Sequence, residues 1–515
     1  MFRTNISKRE ASNACSGCLT FVTLGSKKMR SKYSRVPYVK FSAVLRLTVK
    51  EGKLKGAVLK SALGLSYIAF RGIPFAAPPI GNLRFKDPQP PAPWTGIKDT
   101  SKDTKYMCPQ LEEYPPFDII GNEDCLYLNV YTNSLNQSKP VMFWIHGGAF
   151  ILGSSSFHES RPDYLLAKDV VVVSANYRLG AFGFLNLGHR VAPGNLGLKD
   201  LIIALEWVKE NIANFGGDSN NVTIFGVSAG GTLVHSLLVS PRAKGLFHKA
   251  ILQSGTLTCP WANAEIESGF ENGFKLASLL GKDSNDPVEI FEFLRTVPAE
   301  DIKAGILPFR PNSDDVAENP VLPEPIEQLI TKEADSEKLI SAFNQYLYGH
   351  VKNLGLLKKL GDAEIKELFE LVKYQYFGGK PISVENLTEF SELLSLINFD
   401  PLPHNYQIVY TTIKHDICSY TAGASHTDDV AYLLYLPKCK TENPNPPAIG
   451  TKDRITLERM TRMWTNFART GNPTSVKDEF VNVTWKPATR EDLCYLKIDD
   501  ELHLLPISLH FLSSK

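Results

Sequence analysis

Hydrophobic positions in the middle of the chain come in short, dense runs. "VMFWI" at 141–145, "VVVVSA" at 170–175 and "VTIF" at 222–225 are apolar and rich in β-branched residues, with almost no alternation. Alternation marks a strand with one face in water, so unbroken runs of this length predict strands covered on both faces, as in a parallel sheet. Between the second and third runs the period changes. In "LKDLIIALEWVKENI" the residues Leu201, Leu205, Val208 and Ile212 recur at steps of four, three and four, which sets them on one face of a helix. "GVSAGGTLVHSLLVS" then reads as a turn followed by a helix, and "KAILQSG" as one more strand. Elements in this order predict an α/β protein with a central, mostly parallel sheet, flanked by helices and joined by right-handed crossovers. The stretch 320–400 differs: it is charged, helical in period and shows no buried-strand run.

Composition narrows the class. The 515 residues are 43% hydrophobic and 22% charged, a globular balance with enough apolar surface for a large core. A net charge of +1 supplies no field to gather nucleic acid or an anionic membrane, so neither is expected as a partner. No apolar run reaches the ~18–20 residues of a membrane-crossing helix, so no membrane span is expected. "CLTFVTLG" is short and polar-flanked for a secretory signal, which leaves cytoplasmic and secreted locations both open.

Residues 1–45 stand apart from the main domain at 46–515. Arg3, Lys8, Arg9, Lys27, Lys28, Arg30, Lys32, Arg35 and Lys40 are set there against a single acid, Glu10, and a basic, disordered tail is expected. Eight cysteines in a chain this long do not make a disulfide scaffold. Cys15 and Cys18 form a CxxC without a second pair at zinc-site spacing, and no metal is expected. Cys108 and Cys125 enclose a short loop that an oxidising compartment would allow to close. Sequons fall at Asn5, Asn136, Asn221, Asn386 and Asn482.

The candidate chemistry sits where strand passes to helix. Gly226-Val227-Ser228-Ala229-Gly230 is a GxSxG pattern with a buried run before it and a helical period after it. A serine on so sharp a turn needs small neighbours; the turn exposes its hydroxyl and aims the next backbone N–H at a reacting oxygen. The plainer alternative is a serine that caps the following helix. Upstream, "HGGAF" at 146–150 follows directly on "VMFWI". Consecutive glycines there free backbone N–H groups to point into a cleft, as stabilising an oxyanion requires, although a simple turn would also use them. His146 reads as a structural hydrogen-bonding residue rather than a base.

At this point the chain resembles the type-B carboxylesterases, the carboxylesterase and cholinesterase branch of the α/β-hydrolase fold. The resemblance covers nearly everything from about residue 46. It is carried by "FRGIPFAAPPIGNLRF", by "EDCLYLNVYT" at 123–132, by "FGGDSNNVTIFGVSAG" at 215–230 and by "MWTNFARTGNPT". "PDYLLAKDVVVVSANYRLG" and "AKGLFHKAILQSG" are similar to insect esterases that handle dietary and foreign esters. The resemblance implies a serine esterase that needs no cofactor and takes a small-molecule ester. It implies Ser228 as nucleophile, the N–H groups of Gly147, Gly148 and Ala229 as oxyanion donors, and a disulfide between Cys108 and Cys125. It implies His426, in "GASHTDDVAYLLY", as general base. For the acid it points to Glu337 in "DSEKLI", with Glu333 and Asp335 as alternatives.

Three departures from the family pattern stand out. Val227 replaces the usual acid or glutamine before the serine, Lys338 follows Glu337 where glycine is expected, and the strand before the acid is not legible. Two other readings are therefore kept: a non-catalytic relative of the neuroligin type and a degenerate esterase. Retention of Ser228, His426 and both glycines argues against the first. Members of the resembled family that bind choline place a tryptophan between the first two cysteines for cation–π contact, and none lies between Cys108 and Cys125, so the resemblance implies that acetylcholine is not the substrate.

Overall fold

The computed structural model describes residues 45–102, 106–112, 119–257, 259, 261–262, 266–302, 307, 309–325, 328–329, 427, 429–440, 443–487, 494–498 and 501–506. The expected basic tail, most of the charged helical stretch from 330 onward, Glu333, Asp335, Glu337 and His426 lie outside them.

Among the described residues the body is built on a seven-stranded sheet. Its strands are β1 (Ala57–Lys60), β2 (Ser66–Pro74), β3 (Tyr127–Thr132), β4 (Lys139–Ile145), β5 (Val171–Ala175), β6 (Gly217–Val227) and β7 (Lys249–Gln253). The spatial order is β7-β6-β4-β5-β3-β2-β1. β4 to β7 pair in parallel, and β5, β3, β2 and β1 follow one another antiparallel. The parallel half is thus the part that its dense apolar runs predict, and an antiparallel meander extends it.

Successive side chains of a strand point to opposite faces. Val141, Phe143, Ile145, Val173, Val222 and Ile224 accordingly enter one apolar cluster. Met142, Trp144, Val172, Phe225 and Val227 enter the other. Both faces are buried, which is why these strands show no alternation. On the first face packs helix α1 (Leu196–Asn211), where Leu201, Leu205 and Val208 are fully buried, with Ile212 just beyond its end. The second face is covered in part by helix α3 (Lys452–Thr470), capped by Thr451 and stopped by Gly471 at φ 78°. Between these two in the chain comes helix α2 (Ala229–Val239), every residue of which is buried. Among the described residues no helix is long and apolar enough to cross a membrane.

The strand order fixes where a site can form. The chain leaves β4 toward β5 on one side, and leaves β6 toward β7 on the other. Adjacent parallel strands whose exits diverge leave a crevice at their carboxyl ends. Those ends carry Ile145-His146-Gly147 and Val227-Ser228.

Candidate active site

Ser228 is the single residue between β6 and α2, and it stands at φ 57°, ψ −126°. Side chains other than glycine rarely hold this conformation, and it persists only where surrounding structure over-determines it. Three contacts do so. The Ser228 N–H donates to the Gln253 carbonyl at 2.8 Å, and the Ser228 carbonyl accepts from Thr232 N–H at 3.0 Å. Gly255 lies so close that a Cβ there would stand 2.1 Å from Ser228 O. The flanking glycines are demanded by close approach. A Cβ on Gly226 would lie 2.6 Å from Ile145 O and 2.7 Å from Gly230 O, and one on Gly230 would lie 2.2 Å from Ile145 O. The serine hydroxyl makes no capping hydrogen bond to α2, so the helix-cap alternative does not describe it. Ser228 is partly accessible while its neighbours Val227 and Ala229 are buried.

The glycine loop after β4 comes to the same point. A Cβ on Gly147 would stand 2.6 Å from Val227 O and 3.2 Å from Ser228 Cβ. Gly148, at φ 113°, makes a tight turn whose carbonyl accepts from Ile151 N–H at 2.9 Å and Leu152 N–H at 3.0 Å. Among the described residues no group accepts a hydrogen bond from the N–H of Gly147, Gly148 or Ala229. Backbone donors that meet no acceptor among the described residues, on two segments that meet at Ser228, can bind an oxyanion. The structure thus brings Gly147, Gly148, Ser228 and Ala229 together.

His146 is buried and stacks on Tyr177, with ring centroids 4.4 Å apart. Its Nδ1 lies 2.8 Å from Gly147 O, and the Tyr177 hydroxyl donates to His146 O at 2.9 Å. Burial lowers the imidazole pKa to about 4, so near neutral pH it is an uncharged wedge under the loop. Val227 is buried and packs into the second apolar face, with its Cγ1 3.4 Å from where a Gly147 Cβ would stand.

Cys108 and Cys125 form the disulfide expected from the family resemblance, with Cα atoms 5.0 Å apart. Its loop also positions two side chains that sequence reasoning did not find. Gln110 accepts from Gly153 N–H at 2.8 Å and donates to Gly153 O and Cys108 O, both at 3.0 Å. Gly153 in turn backs onto the glycine loop, where a Cβ would lie 2.6 Å from both Gly147 O and His146 Nδ1. Asn176 accepts from Ser155 N–H at 2.7 Å and donates to Cys125 O at 2.9 Å. Neither residue carries a sequence signal, because a buried amide that satisfies main-chain groups fits no short motif.

A mixed sheet flanked by helices, with a strained serine between strand and helix beside a glycine loop, defines an α/β-hydrolase. A family model described as "Carboxylesterase family" matches residues 43–370 and 400–509. The chain is 33% identical to Esterase FE4 of Myzus persicae over 508 residues, covering 86% of this chain and 87% of that protein. It is 32% identical to the juvenile hormone esterase of Tribolium castaneum over 525 residues, covering 88% and 87%. The crystal structure of juvenile hormone esterase from Manduca sexta, with OTFP covalently attached, is 26% identical with a TM-score of 0.74, covering 91% of this chain and 97% of that one. The chain belongs to the carboxylesterase family and is a carboxylic ester hydrolase.

Proposed function

We propose that the protein cleaves small to medium carboxylic esters through an acyl-enzyme on Ser228. In this reading His426 takes the hydroxyl proton as Ser228 Oγ attacks the ester carbonyl, and Glu337 orients the imidazole from its other side. The N–H groups of Gly147, Gly148 and Ala229 hold the tetrahedral oxyanion. The alcohol leaves with the proton from His426, and water repeats the sequence to release the acid. The observation that carries the reading is the backbone of Ser228, held at φ 57°, ψ −126° with its hydroxyl not used as a helix cap. The N–H groups beside it, which meet no acceptor among the described residues, support the oxyanion role. The covalent ligand in the Manduca sexta enzyme supports a covalent step.

The test is stoichiometric labelling with an organophosphate. One phosphoryl group per chain should appear on Ser228 with complete loss of aryl-ester turnover, and Ser228→Ala should neither label nor turn over. Label on another residue, or an active Ser228→Ala, refutes the assignment. A series of aryl esters of increasing acyl length, on the same preparation, tests the size class.

A further inference from the structure

Asp429 belongs to the loop that follows His426, yet it is buried, and its carboxylate accepts a hydrogen bond from Gln253 Nε2–H. Gln253 is itself fully buried and is the last residue of β7. Its carbonyl is the acceptor that fixes the Ser228 N–H at 2.8 Å. One residue therefore holds the serine turn by its main chain and Asp429 by its side chain. A carboxylate taken out of water is costly unless hydrogen-bonded, so this contact is a firm anchor for the loop.

The anchor matters because of chain length. Any residue three positions from Asp429 lies within ~10 Å of it. The short connection is also constrained at Thr427, a β-branched residue at φ 77°, whose carbonyl accepts from Val430 N–H at 3.1 Å. A β-branched side chain holds the left-handed region only where its surroundings impose it.

We propose that Gln253 and Asp429 are a positioning couple: they tie the loop that bears the general base to the strand end that bears the nucleophile's anchor. This rests on the reading of Ser228 and His426 given above.

The test is steady-state aryl-ester kinetics on Asp429→Ala, Asp429→Asn, Gln253→Met and the double variant Gln253→Met/Asp429→Ala. Misplacement of a base by up to an ångström lowers turnover by ~10²-fold. Asp429→Ala and Gln253→Met should each lower kcat ~10- to 100-fold, with KM little changed. The double variant should be no worse than the more impaired single one, since both single variants already lack the Gln253–Asp429 contact. Asp429→Asn keeps an oxygen that can accept from Gln253 and should retain most of kcat, with an unshifted pH–rate profile. Normal turnover in Asp429→Ala, additive losses in the double variant, or an Asp429→Asn as impaired as the alanine variant would each overturn the proposal. If Asp429→Ala does not fold, Gln253→Met and Asp429→Asn decide it by the same criteria. Ser228→Ala separates the two levels: if it is active, the reading of the site fails, and if it is inactive while Asp429→Ala is normal, only the couple fails.

A different observation carries a second inference. Three sequon asparagines are among the described residues, and the structure sorts them. Asn136, Gln137 and Ser138 are all exposed in the β3–β4 loop, and Asn482 and Thr484 are exposed near the C-terminus. Asn221 lies within β6, its side chain accepts from Lys249 Nζ at 2.5 Å, and its sequon partner Thr223 is fully buried. The Cys108–Cys125 disulfide points to folding in an oxidising compartment, where such asparagines meet the glycosylation machinery. We infer that Asn136 and Asn482 are N-glycan acceptors and that Asn221 is not. In that step Asn Nδ2 forms a bond to C1 of an oligosaccharide while the bond from C1 to a lipid diphosphate breaks, and the amide proton leaves with the diphosphate. Protein made through the secretory route of insect cells should lose mass on treatment with a peptide N-glycosidase, and Asn136→Gln and Asn482→Gln should each remove one glycan. No loss of mass, an unchanged glycan count in either variant, or a glycan on Asn221 would overturn it.

Discussion

Gly147→Ala is the cleanest probe of the glycine loop. The added Cβ would stand 2.6 Å from Val227 O and 3.2 Å from Ser228 Cβ, both parts of the serine turn rather than ends of flexible side chains. Carbon needs ~3.5 Å from such neighbours, so loop and turn must separate by roughly half an ångström to one ångström. That displacement acts on an N–H proposed to meet the oxyanion. Loss of one such donor costs ~10²–10³ in turnover, and the alanine variant should fall at the lower end, with kcat down ~10²-fold and KM little changed. Forced overpacking should also cost ~1–3 kcal/mol of stability. A control for stability alone is Gly281→Ala, where φ is 90° and a Cβ meets nothing within 4 Å. It should cost ~1–2 kcal/mol of backbone strain and leave kcat intact. Gly148 is a poorer probe, because at φ 113° a Cβ would also lie 2.1 Å from Leu152 O and would attack the turn itself. The assay is aryl-ester turnover beside urea unfolding for both variants. A Gly147→Ala protein that loses stability as expected but keeps kcat within about threefold would refute the oxyanion role of this loop.

Other perturbations test the scaffold. Burial lowers His146 to about 4 and His235 to about 3, whereas both titrate near 6.5 when unfolded. The unfolded chain therefore binds the extra protons below pH ~6.5, and stability should fall as pH drops from there, by up to ~1.4 kcal/mol per unit for each histidine. His235→Asn, whose amide oxygen can still accept the Leu257 N–H that His235 Nδ1 accepts at 3.1 Å, should show a shallower decline in urea midpoint, and an equal decline would refute the assignment. Cys125→Ser opens a loop closed across 17 positions and should cost ~3 kcal/mol, read as a lowered Tm that reductant no longer changes. An unchanged Tm would show that the bridge adds no stability. Asp200→Asn removes the charge that Arg178 meets at 2.7 Å with side chains 0% and 3% exposed. It should cost ~3–5 kcal/mol in equilibrium unfolding, and a loss under ~1 kcal/mol would refute that estimate.

The fold was legible in the sequence where burial is two-sided. β4 to β7 read as dense apolar runs because the stretches 141–145, 171–175, 222–227 and 250–253 are buried at every position. The antiparallel half was not legible, for a local reason. β2 carries Arg71 and Gly72, and β3 carries Asn129, polar or small residues that break an apolar run. Here they are buried all the same, since Asn129 accepts the Gly72 N–H at 2.9 Å and donates to Ser155 O at 2.7 Å. A satisfied polar side chain costs little inside a sheet and leaves no periodic trace. β6 was read short for a related reason: it reaches back to Gly217 through polar Asp218–Asn221, across a register irregularity between Gly217 and Val222.

The same contrast explains why half of the candidate site was easy to name and the other half was not. At Gly226, Gly230, Gly147 and Gly148 the chain passes within 2.1–2.7 Å of where a Cβ would sit, so any larger residue forces the backbone apart and the requirement is written in the sequence. The position of Ser228 follows from them, because the glycines fix the turn on which it stands. An acid that orients an imidazole is constrained differently. It must bring a carboxylate to one point in space, and any acid on a connection of suitable length can meet that need. Glu337 is preferred only because "SEKL" resembles the family's acid turn, Glu333 and Asp335 stay open as alternatives, and Lys338 removes the neighbouring glycine that would have strengthened the match. Gln253 and Asp429 show the limit of the same logic: their hydrogen bond joins positions separated by 176 residues, and no short-range pattern records a contact made only by the fold. Backbone demands are local and leave motifs, whereas side-chain demands across the fold leave almost none.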